Sequence, residues 1–125
     1  MRSGFLVVVA VVSIVYAIGL VATPAWVNEI HGVPSGPGTS LLSRYFGASL
    51  LGVGAMAWLA RNAADSDALV AFMRGGLVLS GVGLLVSLHA MLTGLMNEIG
   101  WVPVVIQALF TLGFLYFAFM KRATG

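Results

Sequence analysis

Arg44 is the side chain of this 125-residue sequence that most clearly invites a chemical interpretation. It falls in the first turn of a long apolar segment, near a predicted helix N-terminus, where the helix dipole disfavours a cation. Glu29 and Glu98 lie in two segments predicted to form turns at the same end of the helices. We expect Arg44 to pair with one or both acids and so clamp the turns. The alternatives are an arginine that extends to the surface and an open site for an anion or a carboxylate.

Three more polar side chains, Tyr16, His89 and Gln107, interrupt apolar segments. At the helical rise of 1.5 Å per residue, His89 lies about 9 Å inside the end of its predicted helix, and the other two lie at similar depths. With Arg44 they could form one polar layer. An ionisable group inside a membrane suggests a function, such as proton relay or the binding of a quinone or pigment. A neutral histidine that is hydrogen-bonded to a neighbouring helix is the structural alternative.

The groups that most enzymes need are missing from the sequence. No apolar segment contains paired carboxylates, no serine has a histidine oriented by an aspartate, and the chain has no cysteine. We therefore expect a protein that is not an enzyme, with no catalytic residue, no metal site and no resident cofactor. A metal bound by His31, Glu29, His89 or Glu98 is a weak alternative. Six Lys and Arg residues do not suggest a nucleic-acid partner.

The composition places these residues in a membrane. Hydrophobic residues make up 60% of the chain and charged residues only 8%, against about 45–50% and about 25% in soluble domains. A soluble globular domain is therefore excluded. Since about 20 residues of helix cross the hydrocarbon layer, we predict one transmembrane domain over residues 1–125, with four spans at about 5–23, 41–60, 75–95 and 102–120.

Proline, glycine and capping residues set the predicted boundaries. Pro24 ends the first span, and the glycines and prolines of Trp26–Thr39 predict a loop, after which Thr39 or Ser40 caps the second span. The third helix is expected to begin near Asp67, outside the bilayer. It should leave the bilayer near residue 95. Pro103 falls in the first turn of the fourth span, where its missing N–H costs little.

The positive charges orient the four spans. One side carries Arg2, Arg61, Arg74, Lys121 and Arg122, and the other carries only Arg44. By the positive-inside rule, both termini are cytoplasmic. The predicted fold is an all-α, antiparallel four-helix transmembrane bundle in the bacterial inner membrane.

Small residues at helical spacing predict close helix packing, because they let helix backbones approach in lipid. The candidates are Gly47 and Gly52 in the second span and Gly76, Ser80, Gly83 and Ser87 in the third. We expect these two spans to form a tight antiparallel pair; the alternative is a face for another subunit.

Two seven-residue segments, 28–34 and 97–103, are identical at five of seven positions. Each follows an outward-going span. They could be the remnant of a duplicated helical hairpin, or they could have converged by chance on a turn sequence.

Arg44-Tyr45-Phe46-Gly47 at the start of the second span and Trp58-Leu59-Ala60-Arg61 at its end resemble a pattern of small four-span bacterial membrane proteins of unassigned function. The chain is loosely similar to the DoxX-like class. The resemblance implies the architecture, and it suggests association with partner proteins.

These features favour a non-enzymatic accessory or structural subunit of a larger membrane complex, or a small homo-oligomer. Its partners would be membrane lipid and other transmembrane helices. One alternative is a transporter or channel for a small solute or ion that uses the polar layer. Another is a protein that binds a quinone or a pigment.

Overall fold

The computed structural model describes residues 1–120 of the chain, of which residue 120 is described for its backbone only. All regular structure within these residues is helical. The α-helices are α1 (Arg2–Ala22), α2 (Pro24–Ile30), α3 (Pro37–Ala60), α4 (Asp67–Leu92) and α5 (Trp101–Leu115). A 3-10 turn (Glu98–Gly100) precedes α5, and a π-helical turn (Tyr116–Met120) follows it. Lys121 and Arg122 of the predicted charge pattern lie outside the described residues.

The chain divides into two compact units, Met1–Asn62 and Ala63–Gly125, and each is described by itself. In the first unit α1 packs along α3, and α2 packs on both. In the second unit α4 packs along α5.

Prolines begin two helices of the first unit, so the loop predicted at Trp26–Thr39 is wrong at both of its ends. Pro24 is the first residue of α2, and Pro37 is the first residue of α3. The predicted cap at Thr39 or Ser40 is therefore wrong as well, because Gly36 precedes the helix. Proline suits this position because its fixed φ is helical and its missing N–H would have no partner there.

Gly32 ends α2. Its φ of 73° is a left-handed conformation that glycine adopts without steric cost. The N–H of Gly32 donates to the carbonyl of Glu29, and the N–H of Val33 donates to that of Asn28. These two bonds satisfy the last carbonyls of the helix.

Two glycines of α3 let it approach α1. A Cβ added to Gly47 would lie 2.9 Å from Leu20 Cβ and 3.1 Å from the carbonyl oxygen of Ala17. A Cβ on Gly54, two turns further on, would lie 2.6 Å from Ile14 Cγ1. Gly52, predicted as a packing residue, has no atom within 4 Å of its added Cβ. It lies on an exposed side of α3.

Capping residues define both ends of α4 in the second unit. The Ser66 hydroxyl accepts a hydrogen bond from the Leu69 N–H at 3.1 Å, so the helix begins at Asp67 as predicted. The helix ends at Leu92, because Gly94 takes a φ of 74°. The helix thus ends three residues before residue 95, near which the third span is predicted to leave the bilayer. Pro103 lies in the first turn of α5, also as predicted.

Glycines of α4 accommodate side chains of α5. Gly76 lies against the ring of Phe114, and a Cβ on Gly83 would lie 2.6 Å from Gln107 Nε2. Ser80 is buried and donates to the carbonyl of Gly76 at 2.8 Å. Ser87 is half-buried. The close neighbours of Gly47 lie in α1, and those of Gly76 and Gly83 lie in α5. The pairing of the second and third spans stays a prediction.

The two matching seven-residue segments have different structures. Residues 28–34 contain the C-terminal end of α2, whereas residues 97–103 contain the start of α5. This difference favours chance convergence over duplication.

Three helical segments of the described chain are long and apolar enough to cross a membrane: Arg2–Ala22, Asp67–Leu92 and Glu98–Phe119. The described part of the chain is therefore all-helical, with three helical segments suited to a membrane. The remaining predicted span lies in α3, whose 24 residues measure about 36 Å along the helix axis. Glycine and serine residues and Arg44 make α3 less apolar than the other three.

Candidate functional site

A polar pair, half-buried Tyr16 and buried His31, joins α1 to the end of α2. The Tyr16 hydroxyl lies 3.3 Å from His31 Nε2, and His31 Nδ1 lies 2.8 Å from the carbonyl oxygen of Val27. A carbonyl oxygen can only accept, so Nδ1 carries a proton and donates it. In the neutral ring Nε2 then accepts the hydrogen bond from Tyr16. The two bonds therefore select one neutral tautomer of an imidazole that is only 7% exposed.

The end of α2 positions His31. This residue directly follows the last residue of the helix and precedes Gly32, whose left-handed conformation turns the chain away. The short α2 lies against α1 because Gly19 leaves room for Val27: a Cβ on Gly19 would lie 3.1 Å from Val27 Cγ2.

A second polar pair joins α2 to α3. Asn28 Nδ2 donates to Ser43 Oγ at 3.1 Å, and the Ser43 hydroxyl donates back to Asn28 Oδ1 at 3.3 Å. Asn28 is 8% exposed. The polar groups of each partner are thus satisfied by the other, as buried polar groups require.

Arg44 follows Ser43 in α3 and contacts the end of α1. Its Nε donates to the carbonyl of Val21 at 3.2 Å, and its side chain is exposed. Since α3 begins at Pro37, Arg44 is about two turns into the helix, and its predicted place in the first turn is wrong. No ion pair joins Arg44 to Glu29 within residues 1–120. Its pairing with Glu98, a residue of the other unit, stays a prediction.

His89 lies in the last turn of α4, because this helix ends at Leu92, and its side chain is exposed. The predicted depth of about 9 Å inside the helix is therefore wrong. Gln107 is half-buried against Gly83, and Glu98 is exposed at the start of the 3-10 turn. The structure thus brings Tyr16 together with His31. A polar layer shared by Tyr16, Arg44, His89 and Gln107 extends over both units and stays a prediction.

Sequence reasoning missed the role of His31 because it assigned this residue to a loop. The missed signal was Gly32, since a glycine just past a short apolar segment is typical of a helix C-terminus. With α2 recognised, His31 falls at a capped helix end close to the apolar surface of α1.

The polar side chains of the first unit form hydrogen bonds with one another. Tyr16 and His31 are hydrogen-bonded to each other, and Asn28 and Ser43 satisfy each other. In the described part of the chain, no group of three or more His, Cys, Asp or Glu residues could hold a metal ion.

Comparison of the chain with protein-family models, with curated proteins and with solved structures found no match. The similarity to the DoxX-like class therefore stays a prediction.

Replacing Tyr16 with phenylalanine should lower the free energy of unfolding by about 1 kcal/mol, because His31 Nε2 loses its donor and stays buried. The measurement is unfolding by sodium dodecyl sulfate in mixed micelles. The control is Tyr45→Phe, whose ring is 67% exposed. Equal stability of the two variants would show that the Tyr16–His31 bond does not hold α2 in place.

Proposed function

We propose that this chain is a small, non-enzymatic integral membrane protein that serves as an accessory or structural subunit of a larger membrane complex. It resides in the bacterial inner membrane, crosses it four times as an antiparallel helical bundle and keeps both termini in the cytoplasm. The architecture resembles that of the DoxX-like class. The alternative to a complex with other proteins is a small homo-oligomer of this chain.

The ends of α3 support the fourth crossing. Arg44 and Arg61 lie 17 residues apart on this helix, which corresponds to about 26 Å of rise. That distance is close to the roughly 30 Å of the hydrocarbon layer, so the two guanidinium groups fit opposite headgroup regions. Trp58, one turn before Arg61, suits the inner interface.

An uncovered apolar face of α4 is the observation that carries the assembly proposal. Its residues recur at alternating spacings of four and three, and all are exposed: Ala71, Gly75, Val78, Val82, Leu85, His89 and Leu92. This spacing is typical of helix–helix seams. A Cβ on Gly75 would have no atom within 4 Å, so the face contains a notch where a partner helix could approach closely.

The polar groups support a non-enzymatic role. The Tyr16–His31 and Asn28–Ser43 bonds use groups that a catalytic site would need to present to a substrate. They stabilise the first unit instead.

Gentle extraction of the native membrane, followed by mass measurement of the intact assembly, tests this proposal. We expect the chain to migrate with a second kind of subunit, or else as an oligomer of defined number. Gly75→Leu should reduce that association, because it fills the notch without touching a neighbour within the described chain. Gly4→Leu, at a second open glycine in α1, is the matched control. A lone monomer in the mildest detergent would contradict the proposal.

A further inference from the structure

The guanidinium group of Arg44 has one open edge with two hydrogen-bond donors, its terminal nitrogens Nη1 and Nη2. Its Nε is occupied by the carbonyl of Val21 at 3.2 Å, which orients the guanidinium group. The two terminal nitrogens have no hydrogen-bond partner among residues 1–120. Two parallel N–H groups of this kind match two oxygens of a phosphate or a carboxylate.

Arg61 presents the other kind of edge at the opposite end of α3. Its Nη1 donates to the carbonyl of Trp58 at 2.6 Å, and its Cζ lies 3.9 Å from the centroid of the Trp58 ring. The guanidinium group is therefore held against the indole by a cation–π contact. Its Nε and Nη2 have no hydrogen-bond partner in the described chain, so a second two-donor edge is open.

We propose that Arg44 and Arg61 each bind the phosphodiester group of a membrane lipid, one in the outer and one in the inner leaflet. This inference rests on the proposed crossing of the membrane by α3, which separates the two groups by about 26 Å. At headgroup depth the phosphodiester is the abundant oxyanion, and each prepared edge takes two of its oxygens. A carbonyl bond on the remaining nitrogen limits the conformational entropy that each arginine loses on binding.

Arg74 of α4 offers an internal comparison. The Cζ of Arg74 lies 4.6 Å from the centroid of the Phe119 ring. No carbonyl of the described residues accepts a hydrogen bond from this guanidinium group. Arg74 therefore carries the same charge without the orientation that a main-chain bond gives to Arg44 and Arg61.

The test is a titration of the purified full chain, in a maltoside detergent, with phosphatidylglycerol, with bound lipid counted by native mass spectrometry. Arg44→Gln and Arg61→Gln should each weaken the binding of one lipid about tenfold, as expected for the loss of charge-assisted hydrogen bonds. Arg74→Gln, which removes the same charge, should change binding much less. Arg44→Lys and Arg61→Lys keep the charge but lose the planar pair of N–H donors. They should therefore bind the lipid more weakly than the unsubstituted protein. Helical content by circular dichroism confirms that each variant is folded.

Two results would overturn the inference. An equal loss in Arg74→Gln would mean that charge alone attracts the lipid. Displacement of the lipid by inorganic phosphate at the same concentration would mean that the edges take free phosphate. Cysteine labelling on either side of α3 reports the crossing independently, so a failure of lipid binding is distinguishable from a failure of the proposed topology.

Discussion

Replacing Gly47 with leucine should separate α1 from α3 and lower the free energy of unfolding by about 3 kcal/mol, the upper end of the usual cost of overpacking. The first added carbon would already lie 2.9 Å from Leu20 Cβ and from Val21 Cγ2, and 3.1 Å from the carbonyl oxygen of Ala17. A main-chain oxygen cannot move aside as a flexible side chain can. The helices themselves must therefore part. Unfolding in mixed micelles, followed by tryptophan fluorescence, measures the effect.

Gly52→Leu is the matched control, on the same helix and with the same change of residue. Its added Cβ has no atom within 4 Å, so this variant should stay within about 0.5 kcal/mol of the parent, as surface substitutions do. If Gly52→Leu were as destabilising as Gly47→Leu, the packing of α3 on α1 through Gly47 would be incorrect.

Replacing Phe114 with alanine should have the largest effect in the second unit. The ring is 2% exposed, lies against Gly76, and makes edge contacts with Phe72 and Phe110 at centroid distances of 6.4 and 6.5 Å. In soluble proteins this substitution costs about 3–5 kcal/mol. Because lipid is as apolar as the helix interior, only the packing part of that cost remains in a membrane. We therefore expect a loss of about 2 kcal/mol, measured by the same unfolding assay.

Leu112→Ala provides the comparison on α5. Leu112 is 63% exposed, and its truncation leaves no cavity within the described residues, so stability should hardly change. A loss at Leu112 equal to that at Phe114 would indicate that α5 turns a different face towards α4.

Most of the helical structure could be predicted from the sequence, because long apolar runs and capping residues are local signals. Asp67 and Pro103 were placed correctly for this reason. The short helix α2 was missed because Pro24 was interpreted only as the end of one helix and not also as the start of the next. The early end of α4 was missed because Gly94 continues an apolar segment whose composition alone does not show a left-handed residue.

Pairing of the helices could not be predicted in the same way. Gly47 and Gly52 both belong to small-residue stripes of α3, and their spacing fits close packing equally well. Only the position of α1 decides that Gly47 is covered while Gly52 is open. The polar site could be predicted only in part for the same reason. Tyr16 was recognised as a polar residue within an apolar segment, but its contact with His31 forms only because α2 folds back on α1.

Single-cysteine labelling tests the central claim, four membrane crossings with α3 as one of them, most directly. The chain has no cysteine of its own, so each introduced thiol reports one position. In intact bacterial cells, a membrane-impermeant maleimide should label Ser35→Cys before α3 and Leu95→Cys after α4. It should label Asn62→Cys, which follows α3, only after the membrane is permeabilised. Labelling of Ser35→Cys and Asn62→Cys from the same side would contradict the account, because α3 would then not cross the membrane.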